Sequence, residues 1–381
     1  MHPTLTWKEA RTTHSVRWRS ESGLPPPKRV IVADDTLKAD AAYHHTCEGT
    51  ALLWRGDFQN AKMLLQAIAR RADNRARAAL EANKADATPV AFPQAFHLHR
   101  QAQAQRARML GMLLIPFDAG HVIPLGRAPD VQLACYQVHG AADQPYVMSL
   151  RELLGIIGAH EWRKSGIDLT ATGGRIHPHY GVFAPVRSEY VQLVAEAPLP
   201  STALAFDIGT GTGVLAAVLA RRSVARVIAT ESDARALACA RENIAQLGLG
   251  TRVEVVEANL FPAGRAPLIV CNPPWIPSKP SSPLEHAIYD FESRMLRGFL
   301  DDLAAHLAPG GEGWLLLSDI AEHLGLRTRA ELLAWIAKAG LKVQGKIDIK
   351  PKHPRAADVT DPLHQARAAE VTSLWRLAAL A

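Results

Sequence analysis

Cysteine is scarce in this 381-residue chain. There are four, Cys47, Cys135, Cys239 and Cys271, and no two stand in a C-x-x-C spacing. That argues against a disulfide framework and a thiolate metal site, and four lone thiols fit a reducing cytoplasm. Long apolar runs are missing too. None reaches the roughly 18 residues that mark a candidate membrane span. The first twenty residues, with Trp7, Arg11, Arg17, Trp18 and Arg19, hold no secretory core. The expectation is a cytoplasmic protein with no membrane partner. Metal-ligand clusters are also absent: His177 and His179 flank a proline, with no carboxylate or Cys close in sequence. They read as structural or substrate-facing, and no metal is expected.

A strong charge of one sign is the last absence. The formal net charge is +6, too small to imply nucleic-acid binding by itself. Its placement is uneven. Residues 1–150 hold 18 Lys+Arg against 13 Asp+Glu, and the remainder 25 against 24. Two arginine groups sit in stretches of helical character, one at Arg70, Arg71, Arg75 and Arg77, the other at Arg100, Arg106 and Arg108. They are either solvated helix faces or a surface that tracks phosphates.

What the chain does have is concentrated between Ala203 and Trp275. This stretch opens A-L-A-F-D-I-G-T-G-T-G-V-L and closes P-L-I-V-C-N-P-P-W. An apolar run, an acid, three alternate glycines and an apolar amphipathic segment spell strand, tight turn, helix. Gly209, Gly211 and Gly213 are free to take positive φ and to let a ligand approach the backbone. The helix they open aims unsatisfied N–H groups at the turn. The spacing is not G-x-G-x-x-G. A second strand, Arg226 to Thr230, ends in Glu231, 24 residues after Asp207. An acid at that place holds a ribose diol in doubly wound folds. A third strand ends near Asn259, and a fourth ends in Asn272-Pro273-Pro274-Trp275.

The D-I-G-T-G-T-G turn, the acid at 231 and N-P-P-W after the fourth strand resemble a class I S-adenosylmethionine-dependent methyltransferase. Within that class the chain resembles the amino-methylating branch, with its (D/N/S)-P-P-(Y/F/W) signature, related to rRNA guanine/adenine and release-factor glutamine methyltransferases. The likeness covers roughly residues 181–381. It implies S-adenosylmethionine as cofactor, bound by Asp207, Gly209, Gly211, Gly213, Glu231 and Asn259. The family residue at Asn259 is often Asp and contacts the adenine amino group; Asn still accepts through its side-chain oxygen. Asn272, Pro273, Pro274 and Trp275 would form the catalytic loop.

That loop suits the chemistry. The lone pair of an amide or nucleobase amino nitrogen is delocalised, so the nitrogen is a poor nucleophile. Acceptors on its N–H groups, here the Asn272 side-chain oxygen and the Pro273 carbonyl, would draw it toward tetrahedral geometry. The prolines fix φ and carry no N–H, so the loop is stiff and cannot donate there. Trp275 offers a flat face for a planar group, a stacking interaction of about 1–3 kcal/mol in single-strand binders.

The expected architecture is α/β. A seven-stranded doubly wound Rossmann-like sheet, its last strand antiparallel, follows a mainly helical N-terminal domain and a β-hairpin connector. The expected boundaries are 1–165 for an accessory, substrate-recognition domain, 166–186 for the connector and 187–381 for the methyltransferase domain. Met1 to Thr50 reads as irregular apart from a short strand at Arg29 to Ala33. Helices are expected over Gly56–Ala82 and Ala95–Leu110, with a break at Thr88–Pro93. Met112–Pro116 and Val131–Val138 read as β-like. Ser149 and Glu152 form a capping box for a third helix. Gly173–Val186 reads as a hairpin, and the P-V-R-S-E-Y string after it resembles, with departures, the P-R-P-E-T-E pattern of release-factor glutamine methyltransferases. The Pro-rich loop Pro277–Pro283, leading to Tyr289, reads as a loop beside the active site that serves substrate, and Lys350–His364, with His353 and Arg355, reads as a polar loop. The function implied is methyl transfer to an amino or amide nitrogen. A nucleobase amino group in RNA, rRNA included, is favoured by the basic front domain. The alternative is a glutamine in a release factor or ribosomal protein.

Overall fold

The computed structural model describes residues 2–84, 92–280, 285, 287–351, 358 and 361–380. The chain divides into two compact units, Met1–Glu161 and Trp162–Ala381.

The first unit runs β1 (Thr4–Glu9), β2 (Thr12–Trp18), β3 (Arg29–Ala33), α1 (Ala39–Cys47), β4 (Thr50–Trp54), α2 (Phe58–Lys84), α3 (Phe92–Leu110), β5 (Leu113–Phe117), α4 (Gln132–His139), β6 (Tyr146–Ser149) and the start of α5 (Leu150–Ser165). Its frame is a six-stranded sheet in the order β1-β2-β6-β5-β4-β3. The sequence points to a mainly helical domain; the helices are there, but they are laid on a sheet. Strands β3, β4 and β5 are mutually parallel. Every residue of β4 and β5 is buried, as continuous apolar runs in a sheet covered on both faces should be.

Strand β3 falls on the expected Arg29–Ala33, and the stretch around it, expected to be irregular, also holds β1, β2 and α1. Strand β1 buries only Leu5 and Trp7, two residues apart, so its period-two signal is short. The turn joining it to β2 uses Ala10 and Arg11, both at positive φ, instead of the glycine or asparagine that usually marks a hairpin. The β-like stretch Val131–Val138 is the helix α4. Asp130 starts it by accepting the Gln132 N–H at 3.0 Å, and the helix buries Ala134 and Cys135. At the start of α5, Ser149 Oγ accepts the Glu152 N–H at 3.1 Å. The return half of the capping box is missing, because the Glu152 carboxylate accepts the Glu21 N–H instead.

The second unit begins with a short antiparallel pair, β7 (Ile167–Leu169) and β8 (Gly174–Ile176). The hairpin thus lies earlier than expected, and from His177 to Val186 no strand forms. There follow α6 (Glu189–Glu196), β9 (Leu204–Ile208), α7 (Val214–Arg221), β10 (Arg226–Glu231), α8 (Ala234–Gln246), β11 (Val253–Glu257), β12 (Ala266–Cys271), α9 (Arg294–His306), β13 (Leu307–Ser318), α10 (Ile320–His323), α11 (Arg329–Lys338), β14 (Leu341–Ile349), α12 (His364–Ala369) and β15 (Thr372–Ala379). The sheet has seven strands in the order β11-β10-β9-β12-β13-β15-β14. Neighbours from β11 to β13 are parallel, and β15 is antiparallel to both of its neighbours. One apolar layer packs α6 and α7 against the sheet. The other packs α9 and α11 against it. The strand order reverses between β9 and β12. In open α/β sheets ligands bind at such a reversal, outside the carboxyl ends of the strands.

The expected loops at Pro277–Pro283 and Lys350–His364 lie partly outside the described residues, as do His353, Arg355 and most of the Thr88–Pro93 break. Phe92 and Pro93 themselves open α3. Among the described residues no helix is long and apolar enough to cross a membrane.

Candidate active site

Both signatures stand at the strand reversal. Strand β9 ends at Ile208 and pairs there with Cys271, the last residue of β12. The glycine turn and Asn272 therefore leave neighbouring strands side by side.

Asp207 is fully buried under the turn. Its Oδ2 accepts the Thr210 hydroxyl at 2.6 Å and the Ala216 N–H at 3.0 Å. Burial pushes its carboxyl up to about 6; the two hydrogen bonds oppose that shift and the nearby Glu231 carboxylate adds to it. Gly209, Gly211 and Gly213 all have positive φ, 68°, 57° and 81°, a region costly for residues with a Cβ. At Gly209 space adds a second reason, since a Cβ would stand 2.4 Å from the Met295 methyl. At Gly211 nothing among the described residues lies within 4 Å of that position, which leaves the backbone open to a ligand there.

Glu231 stands at the tip of β10, against the turn. One carboxylate oxygen accepts the Gly211 N–H at 3.0 Å; the other accepts Ser232 N–H at 2.8 Å and Asp233 N–H at 3.1 Å. A carboxylate has about four acceptor sites, so capacity remains for a ligand hydroxyl. Asn243, fully buried on α8, ties the turn from below. Its amide donates to the Thr212 carbonyl at 3.0 Å and accepts the His177 N–H at 2.7 Å. Asn259 sits exposed just past β11. Among the described residues no hydrogen bond joins its side chain to the others. The neighbouring backbone is anchored, with Ala258 N–H on the Glu231 carbonyl at 3.1 Å and the Thr230 hydroxyl on the Leu260 carbonyl at 2.6 Å. The structure thus gathers Asp207, the three glycines and Glu231, and leaves Asn259 on the adjacent loop.

Asn272 is half-buried, and its Oδ1 accepts the indole N–H of Trp275 at 2.9 Å. The ring of Trp275 has Tyr190 perpendicular to it, 6.5 Å between centroids at 86°, and the Arg187 guanidinium over its face at 5.4 Å. Arg187 in turn pairs with Glu370 at 3.0 Å. Beyond the motif, Ile276 bridges to Tyr289, and the Asp290 N–H reaches the Ile276 carbonyl at 2.9 Å. The Asp290 carboxylate accepts the Met295 and Leu296 N–H groups, both at 3.0 Å, at the start of α9. Burial raises its carboxyl.

Arg187, Tyr190, Asn243, Asp290 and Glu370 are site residues that sequence reasoning does not find. Arg187 and Tyr190 lie in the conspicuous P-V-R-S-E-Y string; the other three carry no local signal. His177 and His179 are turned to other partners, the Arg163 carbonyl at 2.6 Å and Glu242 at 2.8 Å. Among the described residues no group of three or more His, Cys, Asp or Glu could hold a metal.

The sheet order, the glycine turn after its first strand and the asparagine loop after its fourth define the class I methyltransferase fold, whose methyl donor is S-adenosylmethionine. The residues present fit that donor: open backbone at Gly211, and a carboxylate with spare acceptor capacity at the tip of the next strand. The chain belongs to the small-domain methyltransferases. The family model, Methyltransferase small domain, matches residues 174–329. The tRNA1(Val) (adenine(37)-N6)-methyltransferase of Bacteroides fragilis is 33% identical over 172 residues, covering 41% of this chain and 72% of that protein. The release factor glutamine methyltransferase of Cereibacter sphaeroides is 35% identical over 130 residues, 33% of this chain. There the alignment spans 43% of the relative, less than half its length. A methyltransferase structure from Pyrococcus furiosus superposes with a TM-score of 0.40 at 22% identity, covering 59% of this chain and 98% of that one.

Proposed function

We propose that the chain methylates an exocyclic amino nitrogen of a nucleobase in RNA, with Asn272 to Trp275 as the acceptor site and Asp207, Gly209, Gly211, Gly213, Glu231 and Asn259 as the cofactor site. The observation that carries this reading is the Asn272 side-chain oxygen, oriented by Trp275 at the strand reversal beside the glycine turn. S-adenosylmethionine, when bound, supplies a methyl group already activated on a sulfonium. The protein's part is orientation, which can supply roughly 7–11 kcal/mol of a barrier. Asn272 Oδ1 and the Pro273 carbonyl accept the two N–H groups of the target and turn its lone pair toward the methyl. Trp275 holds the planar acceptor by stacking. The N–C bond would form as the methyl–sulfur bond breaks, leaving the donor as a neutral thioether, and the nitrogen, briefly cationic, would release one proton to solvent.

RNA is favoured over protein by the first unit. Not every arginine there is available: Arg71 pairs with Asp40 at 2.6 Å, Arg106 pairs with Asp73 at 2.6 Å, and Arg75 lies beside the Tyr43 hydroxyl. Arg70, Arg77 and Arg108 are exposed. Arg70 and Arg77 lie seven residues apart, two turns along one face of α2, where they would track phosphates. The tRNA-methylating relative, covered over 72% of its length, points the same way.

The glutamine reading has its own support in the release-factor relative. Tritiated methyl transfer into a cell extract separates the two. Label released by nuclease supports the RNA reading; label that survives nuclease and is recovered on glutamine supports the other.

A further inference from the structure

The acceptor asparagine is held by more than its own loop. An asparagine amide presents either oxygen or NH2 to a neighbour, and only the oxygen can accept from the target nitrogen. The indole N–H of Trp275 is a donor with no acceptor capacity. At 2.9 Å from Asn272 Oδ1 it fixes the orientation, because a flipped amide would set donor against donor. The oxygen keeps its second lone pair for the substrate.

The placement of the indole therefore matters as much as its flat face, and three groups set it. Tyr190 stands perpendicular to it, 6.5 Å between centroids. Arg187 lies over one face at 5.4 Å, a favourable contact between a cation and an aromatic quadrupole. The position of Arg187 is in turn set by Glu370, whose side chain is 2% exposed and which also accepts the Ser318 hydroxyl at 2.7 Å. Withdrawing the guanidinium would leave a buried carboxylate without its cation, which is strongly unfavourable. Glu189 also stands 3.8 Å from Arg187 Nε. Glu370 sits just before β15, and Ser318 ends β13. Arg187 thus ties the carboxyl edge of the sheet to the face of Trp275.

Resting on the reading of Asn272 and Trp275 as the acceptor site, we propose that Arg187 is a positioning residue. Clamped on Glu370, it fixes Trp275, and the Trp275 N–H locks the Asn272 oxygen toward the acceptor nitrogen.

The test uses the full chain and two readouts. The first is the indole N–H resonance of Trp275 in 15N-TROSY spectra, assigned by its loss in Trp275→Phe, with its exchange against solvent. The second is tritiated methyl transfer from S-adenosylmethionine into extract from cells lacking the protein, with KM for S-adenosylmethionine. Arg187→Met and Glu370→Gln should each speed exchange of the Trp275 N–H at least tenfold. They should lower turnover by a similar factor at unchanged KM, and Arg187→Lys should recover part of both. Trp275→Phe keeps an aromatic face but has no N–H. It should lower turnover at least tenfold with KM unchanged, which tests the lock even if Arg187→Met does not fold. An unmoved Trp275 resonance in a folded Arg187→Met overturns the proposal, as does full turnover in Trp275→Phe. If the resonance responds as expected while Asn272→Ala still transfers methyl normally, the clamp stands and the acceptor-site reading is wrong.

Discussion

The carboxylate of Glu231 accepts the backbone N–H of Gly211 at 3.0 Å, so the acid at the tip of β10 and the glycine turn after β9 are one unit. Removing the carboxylate should cost the ribose contact and loosen the turn together. Glu231→Ala is expected to weaken S-adenosylmethionine binding by about 1.5–3 kcal/mol, the range for hydrogen bonds to charged groups, or roughly ten- to a hundredfold. Glu231→Gln keeps one acceptor oxygen and should lose less. Titration calorimetry decides; unchanged affinity in the alanine variant would mean that the ribose is held elsewhere.

Asp207 gives a pH signature. Its carboxyl lies at about 6 in the folded chain, against 3.8 for the unperturbed group. Between those values the folded state holds a proton that the unfolded state has released, so stability falls as pH rises from about 4 through about 6. At roughly 1.36 kcal/mol per pKa unit the effect is on the order of 3 kcal/mol. Both hydrogen bonds to Asp207 fall on one oxygen, which an asparagine oxygen can replace. Urea melts of Asp207→Asn and wild type should therefore differ more in the variant's favour at pH 7 than at pH 4.5. A gap that is the same at both values contradicts the assignment.

Much of the second unit is legible in the sequence because its signals are local. Strands β9, β10 and β12 are short apolar runs, and each ends in a residue that chemistry singles out: Asp207 and the glycines, Glu231, Asn272. The first unit is less legible. Strands β1 and β2 are joined by a turn of Ala10 and Arg11 at positive φ, and nothing in either residue type announces that. Helix α4 reads as β-like because V-Q-L-A-C-Y-Q-V carries neither period cleanly, and what decides is burial of Ala134 and Cys135 by the tertiary fold. The contact between Arg187 and Glu370 spans 183 residues. No local pattern encodes a pair that only the closed sheet brings together. The arginine groups show a third limit: sequence counts charges, while the fold neutralises Arg71 and Arg106 with Asp40 and Asp73.

That neutralisation sharpens the RNA prediction. Arg70→Glu with Arg77→Glu should weaken RNA binding and flatten its salt dependence, with the log–log slope changing by about 0.7–0.9 for each phosphate no longer neutralised. Reversing Arg71 and Arg106 would instead break two ion pairs and lower the melting temperature. Filter binding of total tRNA and ribosomal RNA at graded salt reads the first effect. An unchanged slope in the Arg70/Arg77 variant removes this surface as the site of RNA binding.

The central claim is that Asn272 presents its oxygen to a nitrogen being methylated. Single-turnover transfer from tritiated S-adenosylmethionine, compared between wild type and Asn272→Ala with cofactor affinity measured in parallel, tests it most directly. An acceptor used mainly as the nitrogen rehybridises should be missed in the rate and not in cofactor binding. The account predicts a fall of about two orders of magnitude or more, the scale on which removal of one such acceptor or donor acts, with unchanged cofactor affinity and the wild-type label on an exocyclic or amide nitrogen. Wild-type rates in the variant, or label on oxygen or carbon, would contradict it.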